Sequence, residues 1–148
     1  NFSAADCLET ADLVYIDPPY FSSSRNHTTY HSKYHFLEGL ANYNRILEHI
    51  NHTKNNREIT INKSDQFEKP STFLTELEQL ILRHNESIIV ISYRNNGIPS
   101  VQSISDLLVR CRPDRQVFTL DLGLYGYALN KGNQFNNEFL IIGTNDPI

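Results

Sequence analysis

Residues 13–20, Leu-Val-Tyr-Ile-Asp-Pro-Pro-Tyr, join a short apolar run to an acidic residue and two prolines. An uninterrupted apolar run is typical of a strand buried on both faces, as in a parallel sheet covered by helices. The prolines end that strand, because they have no backbone N–H to donate to a sheet. In open α/β sheets, ligands bind at the carboxyl ends of the strands. The sequence therefore predicts a binding site at Asp17, where this strand ends.

The rest of the chain alternates between strand-like and helix-like segments. Three further segments have the composition of strands: 88–92, 117–122 and 138–142. Apolar residues recur with helical spacing in three others: 36–50, 73–81 and 104–111. This alternation predicts an α/β fold with a mostly parallel sheet. The last two strands are separated by Gly-containing polar sequence with no helical pattern, which favours an antiparallel hairpin at the edge of the sheet.

The residues after the first strand suit a planar molecule that carries an amino group. Asp17 supplies a carboxylate acceptor, and Tyr20 offers a flat aromatic surface. The prolines stiffen the turn and leave neighbouring carbonyl oxygens, including that of Pro18, free to accept hydrogen bonds. The alternative interpretation is a strand-ending turn with no chemistry.

The segment 13–20 resembles the catalytic motif of amino-methyltransferases that use S-adenosylmethionine, especially the adenine-specific DNA methyltransferases. Four other segments resemble parts of the same family in the same order along the chain: 5–9, 34–38, 91–97 and 137–143. The resemblance implies a partial Rossmann-like methyltransferase fold. It also implies a restriction–modification enzyme that transfers a methyl group to the N6 amino group of adenine in DNA.

The resemblance also implies roles for individual residues. Asp17 and the Pro18 carbonyl would accept the two hydrogens of the amino group, and Tyr20 would stack on a base that has left the duplex. Because an ordinary aspartate is a weak base at neutral pH, we expect Asp17 to act as an acceptor, with the proton lost after methyl transfer. Asp17 and Asp6 would contact the cofactor. A loop or cap residue is the alternative for Asp6.

One feature of the family is missing from this sequence. Such enzymes carry a Gly-rich cofactor turn ahead of the catalytic strand, whereas none of the six glycines here precedes Asp17. We therefore expect residues 1–148 to form the C-terminal part of a catalytic domain, with a polar loop or insertion around 51–66. We expect the chain by itself to bind the cofactor poorly and not to methylate. A sheet edge left exposed in this way would permit self-association.

Charge is unevenly distributed along the chain. The net charge is −4, yet residues 18–63 contain six Lys and Arg against three acidic residues. A locally basic stretch can contact a polyanion, so we predict that Arg25 and Lys33 contact nucleic acid. Tyr93, which follows the second strand, is a further candidate. The alternatives are a solvent-exposed connection for the first two and a packed aromatic for the third.

Other residue counts exclude several protein classes. Two cysteines are too few for a disulfide scaffold. Apolar runs such as 88–91 are far shorter than the roughly 20 residues of a membrane helix. Three histidines spaced by four have no acid or Cys to complete a metal site, so we expect no metal. A reducing cytoplasm is the simplest compartment. Two other functions stay open: RNA base methylation by the same chemistry, and a non-catalytic nucleic-acid-binding remnant.

Overall fold

A computed structural model describes residues 4–21, 34–41, 43–57, 59, 66–124 and 136–144. The strands are β1 (Leu13–Ile16), β2 (Ile88–Arg94), β3 (Gln116–Leu124) and β4 (Asn137–Thr144). The α-helices are α1 (His35–Ala41), α2 (Phe73–Arg83) and α3 (Val101–Cys111). Short 3-10 turns cover Ala4–Asp6, Tyr43–His49 and Gln66–Glu68.

The four strands form one mixed sheet in the order β1-β2-β4-β3. Only β1 and β2 are parallel, and both other pairs are antiparallel. The α/β class and the antiparallel edge hairpin, formed by β3 and β4, are confirmed. The predicted mostly parallel sheet is wrong, because β4 lies between β2 and β3 and is antiparallel to both. A parallel neighbour needs a crossover segment, and the segment that joins β1 to β2 contains helices α1 and α2.

The core lies between one face of the sheet and helices α2 and α3. In the parallel pair, Val14 lies beside Ile89 and Ile16 beside Ile91, so these side chains share a face. The most buried apolar residues come from α2, β2, α3 and β4: Phe73, Leu77, Ile81, Ile89, Ile91, Tyr93, Ile104, Leu107, Leu108 and Ile141. This packing holds the carboxyl ends of β1 and β2 side by side.

The stripe predicted as one helix face over 36–50 is divided between α1 and the turn Tyr43–His49. Most of its apolar side chains are exposed, among them Phe36, Leu40 and Leu47, whereas Ile50 is half-buried. An amphipathic stripe stabilises a long helix mainly by burial against a core. Here no described residue buries the stripe, so the spacing alone did not produce a single helix.

Strand β1 forms one border of the sheet, and Leu13 and Tyr15 on it are 52% and 57% exposed. Self-association through this edge stays a prediction, which sedimentation of the purified protein would test. Among the helices that the structure describes, none has the length and apolar character needed to cross a membrane.

Candidate functional site

The proline turn at the end of β1 forms a compact polar corner. Asp17 is exposed, whereas Pro18 is buried. The Tyr20 hydroxyl donates a hydrogen bond to Oδ1 of Asp17 at 2.6 Å. Among the described residues, none donates a hydrogen bond to Oδ2 of Asp17 or to the Pro18 carbonyl. The corner therefore holds its carboxylate in place and leaves two oxygen acceptors available.

The ring of Tyr20 is held by the end of strand β2. It meets Tyr93 edge to face, with ring centroids 5.4 Å apart and planes at 68°. The guanidinium of Arg94 lies 5.4 Å from the centre of the Tyr20 ring, within cation–π range. Burial, together with the hydrogen bond to Asp17, raises the pKa of Tyr20 above its usual range. The tyrosine hydroxyl therefore stays protonated at neutral pH and acts as a donor to the aspartate.

Tyr93 lies in the core, and its side chain is fully buried. Its hydroxyl has no hydrogen-bond partner among the described residues, and burial raises the pKa of this hydroxyl to about 12. The ring fits against the backbone of Gly97, where an added Cβ would lie only 2.4 Å from it. This placement favours the packed-aromatic alternative, and in this conformation the ring offers no surface to a nucleic acid. Tyr93 reaches the site through its contact with Tyr20.

A second polar contact lies behind the corner, between strands β2 and β4. The Ser92 hydroxyl donates to Oε1 of Glu138 at 2.7 Å, and Ser92 is almost completely buried. The hydroxyl of Ser92 lowers the pKa of Tyr20, whereas the negative charge of Glu138 raises it. These opposing effects show that the contact lies within electrostatic range of the corner.

A cleft of about 600 Å³ runs along β1 and ends at the proline turn. Its walls are mostly apolar and include side chains of β1, Phe67 and Leu80. Glu9, Asp17 and Glu68 add carboxyl groups to its border. Apolar walls with a few polar groups are typical of a small-molecule site. Asp6 is exposed on the neighbouring turn Ala4–Asp6, and it is not one of the residues that line the cleft.

The predicted residues thus fall into three groups. The structure brings Asp17, Pro18 and Tyr20 together, with Tyr93 packed against Tyr20, and it places Asp6 on a turn beside the cleft but not in the cleft lining. Arg25 and Lys33 lie outside the described residues, as does most of the segment 58–65.

Sequence analysis missed the roles of Arg94 and Glu68. Arg94 lies in the segment 91–97 but was not predicted as a site residue, and no pattern marked Glu68. The parallel neighbour of a motif strand could have pointed to Arg94, because the ends of parallel strands lie together. In the part of the chain that the structure describes, no three His, Cys, Asp or Glu side chains are grouped so that they could hold a metal ion.

Two comparisons with known proteins found similar sequences. A family model described as D12 class N6 adenine-specific DNA methyltransferase matches residues 1–94, which include the proline corner and all of β2. The modification methylase StsI of Streptococcus sanguinis is 35% identical over 99 residues, which is 66% of this chain and 14% of that relative. The chain therefore spans about one seventh of the length of that methylase. Because the family match covers more than half of its residues, the chain belongs to the D12 class of N6 adenine-specific DNA methyltransferases.

Proposed function

We propose that this chain carries the base-methylating corner of a site-specific DNA methyltransferase of the restriction–modification type. The reaction transfers a methyl group from S-adenosylmethionine to the N6 amino group of adenine in DNA. One observation carries the proposal: Asp17 and Pro18 border the cleft with oxygen acceptors to which no described residue donates, while Tyr20 donates a hydrogen bond to Asp17. From the family resemblance, we propose further that residues 1–148 belong to the C-terminal part of a catalytic domain.

The chemistry follows from the weakness of the adenine amino group as a nucleophile. Its lone pair is delocalised into the ring, so acceptors aimed at its hydrogens make the nitrogen more nucleophilic. Asp17 and the Pro18 carbonyl are placed to act in this way. Because both are fixed before the base arrives, the acceleration comes from positioning and electrostatics. The proton leaves the nitrogen after the methyl group has been transferred.

The described residues fit the cofactor. S-adenosylmethionine, when bound, supplies a methyl group on a positively charged sulfur. The cleft offers apolar walls for its nucleoside, and the carboxyl groups of Glu9 and Glu68 suit its hydroxyl and amino groups. We assign Asp17 to the reacting end of the cleft, and we retain Asp6 as a proposed contact to the cofactor.

The target base must leave the duplex to reach this corner. We propose that the Tyr20 ring then stacks on it, a contact worth about 1–3 kcal/mol per base. Arg25 and Lys33 are the proposed contacts to the DNA backbone, where arginine and lysine neutralise phosphates without reading sequence. A cytoplasmic enzyme acting on its own genome is the simplest setting for these partners.

The test is methyl transfer by the intact protein that contains this chain. Tritiated S-adenosylmethionine is supplied with unmethylated DNA or with ribosomal RNA. We expect label in DNA, recovered as N6-methyladenine. The Asp17→Ala variant should lose at least about 100-fold in kcat and keep its affinity for DNA. Asp12→Ala is the matched control, because Asp12 is an exposed aspartate just before β1.

Each other outcome has a definite meaning. Label in RNA alone would support the RNA methyltransferase alternative. Label in neither substrate would support a non-catalytic remnant. An Asp17→Ala variant with kcat close to that of the wild type would remove the role assigned to this carboxylate.

A further inference from the structure

The Tyr20 ring depends on contacts from outside its own turn. Its hydroxyl is held by Asp17, but hydrogen bonds at the hydroxyl leave the ring free to turn about the axis through its C–O bond. Two side chains at the end of β2 remove that freedom, Tyr93 by an edge-to-face contact and Arg94 by its guanidinium. Of these two, only Arg94 also contacts the backbone of the turn.

Arg94 donates a hydrogen bond from Nη2 to the Phe21 carbonyl at 3.2 Å. The same carbonyl accepts the backbone N–H of Ile98 at 3.0 Å. Phe21 is buried and packs edge to face on Phe73 of helix α2, with ring centroids 5.5 Å apart. The residue that follows the corner is therefore tied to β2, to the loop after β2 and to the core, and Arg94 links these ties to the Tyr20 ring.

The chemistry of arginine suits this double contact. A guanidinium is planar, so it can lie over an aromatic ring and donate in its own plane at the same time. A lysine ammonium is a compact point charge and lacks this planar arrangement of N–H donors. The Nε of Arg94 is buried and has no hydrogen-bond partner among the described residues. Within that part of the chain, the ring of Tyr20 and the Phe21 carbonyl are therefore its main attachments.

We propose that Arg94 is a positioning residue, which holds the Tyr20 ring in the orientation that receives the extruded base. It acts through Tyr20 and does not contact the reacting atoms. This inference rests on the proposed function, because the orientation of Tyr20 matters only if a base stacks on it. The contact assigns a positioning role to a residue that was not predicted as part of the site from the sequence.

The test uses the intact protein and a DNA duplex in which 2-aminopurine replaces the adenine that the wild type methylates. Fluorescence of 2-aminopurine reports whether the base is unstacked from the duplex, and it is measured with all DNA bound. The variants are Arg94→Met, which keeps the length of the side chain, and Arg94→Lys, which keeps the charge. Arg110→Met is the matched control, because Arg110 is an exposed arginine on helix α3.

We expect Arg94→Met to change the 2-aminopurine signal of the bound complex and to lower kcat by about fivefold to thirtyfold, the range that corresponds to a cation–π contact. KM for DNA should change by less than about threefold, because Arg94 is not proposed to bind DNA. Arg94→Lys should recover part of kcat. Arg110→Met should match the wild type in all three measurements.

Two results would overturn the inference while leaving the proposed function intact. One is an active Arg94→Met enzyme with the kcat and fluorescence of the wild type. The other is a rise in KM alone, which would make Arg94 a DNA contact. If Arg94→Met is poorly folded, the test rests on Arg94→Lys. A folded Arg94→Lys protein with the kcat and 2-aminopurine fluorescence of the wild type would refute the role of the planar guanidinium. A wild type that methylates no DNA would defeat the proposed function, and this inference with it.

Discussion

Replacing Gly97 by alanine tests how tightly the layer beneath the site is packed. The added Cβ would lie 2.4, 2.7 and 2.8 Å from Cε1, Cζ and the hydroxyl oxygen of Tyr93. The nearest of these distances is about 1 Å inside the 3.4 Å at which ordinary contact begins. Tyr93 is fully buried and contacts Tyr20 and Phe73, so any shift of its ring disturbs packed neighbours.

The expected cost is that of overpacking a filled core, about 1–3 kcal/mol in the free energy of unfolding. Urea unfolding of the purified protein measures this cost. Gly143→Ala is the control, because its Cβ would meet the flexible end of Leu108 at 3.2 Å. It should cost less than about 1 kcal/mol.

A double-mutant cycle identifies the cause of the loss. Tyr93→Leu removes the ring that blocks the new methyl group. The double variant should therefore be more stable than the sum of the two single changes predicts, by about 1 kcal/mol or more. Additive effects, or a Gly97→Ala protein as stable as the wild type, would show that the Tyr93 ring is not held against this loop.

Two further predictions concern residues near the same core. Ser100 caps helix α3, since its Oγ accepts the Ser103 N–H at 3.1 Å; Ser100→Ala should cost about 1 kcal/mol in unfolding free energy, and Ser103→Ala clearly less. Tyr93→Phe removes a buried hydroxyl without a described partner, so stability at pH 7 should stay equal or rise by up to about 1 kcal/mol. Burial raises the pKa of Tyr93 from 10.0 to about 12 in the folded protein, so the unfolded chain loses this proton first. The free energy of unfolding is therefore unaffected by this proton below pH 10, and it falls as the pH rises from 10 towards 12. Urea unfolding at pH 9 and pH 11.5 should show a smaller alkaline loss for Tyr93→Phe, and an equal loss would contradict the assigned burial.

Local sequence rules predicted the parts of the fold that depend on local chemistry. The apolar run 13–16 with its two prolines marked β1 and its end, because prolines cannot continue a sheet. The Gly-containing segment without helical spacing marked the β3–β4 hairpin. The position of β4 between β2 and β3 was not visible, because strand order depends on contacts between residues far apart in the chain.

The candidate site likewise combines residues that local sequence predicted with residues that only strand pairing brings together. Asp17 and Tyr20 were predicted because they lie three residues apart in one short motif. Arg94 and the Ser92–Glu138 contact depend on the pairing of β2 with its neighbours, and no sequence spacing encodes that pairing. The exposure of the stripe over 36–50 was missed for a similar reason, since periodicity shows which residues share a helix face but not whether a partner covers that face.

The place of β4 inside the sheet has a consequence for synthesis of the protein. The ribosome makes β1, β2 and β3 before β4, yet β3 has its only described strand neighbour in β4. Until residues 137–144 emerge, β2 and β3 each have an edge that lacks its partner strand β4. A pause between the emergence of β3 and that of β4 from the ribosome would prolong this state, in which open edges recruit strands from other molecules.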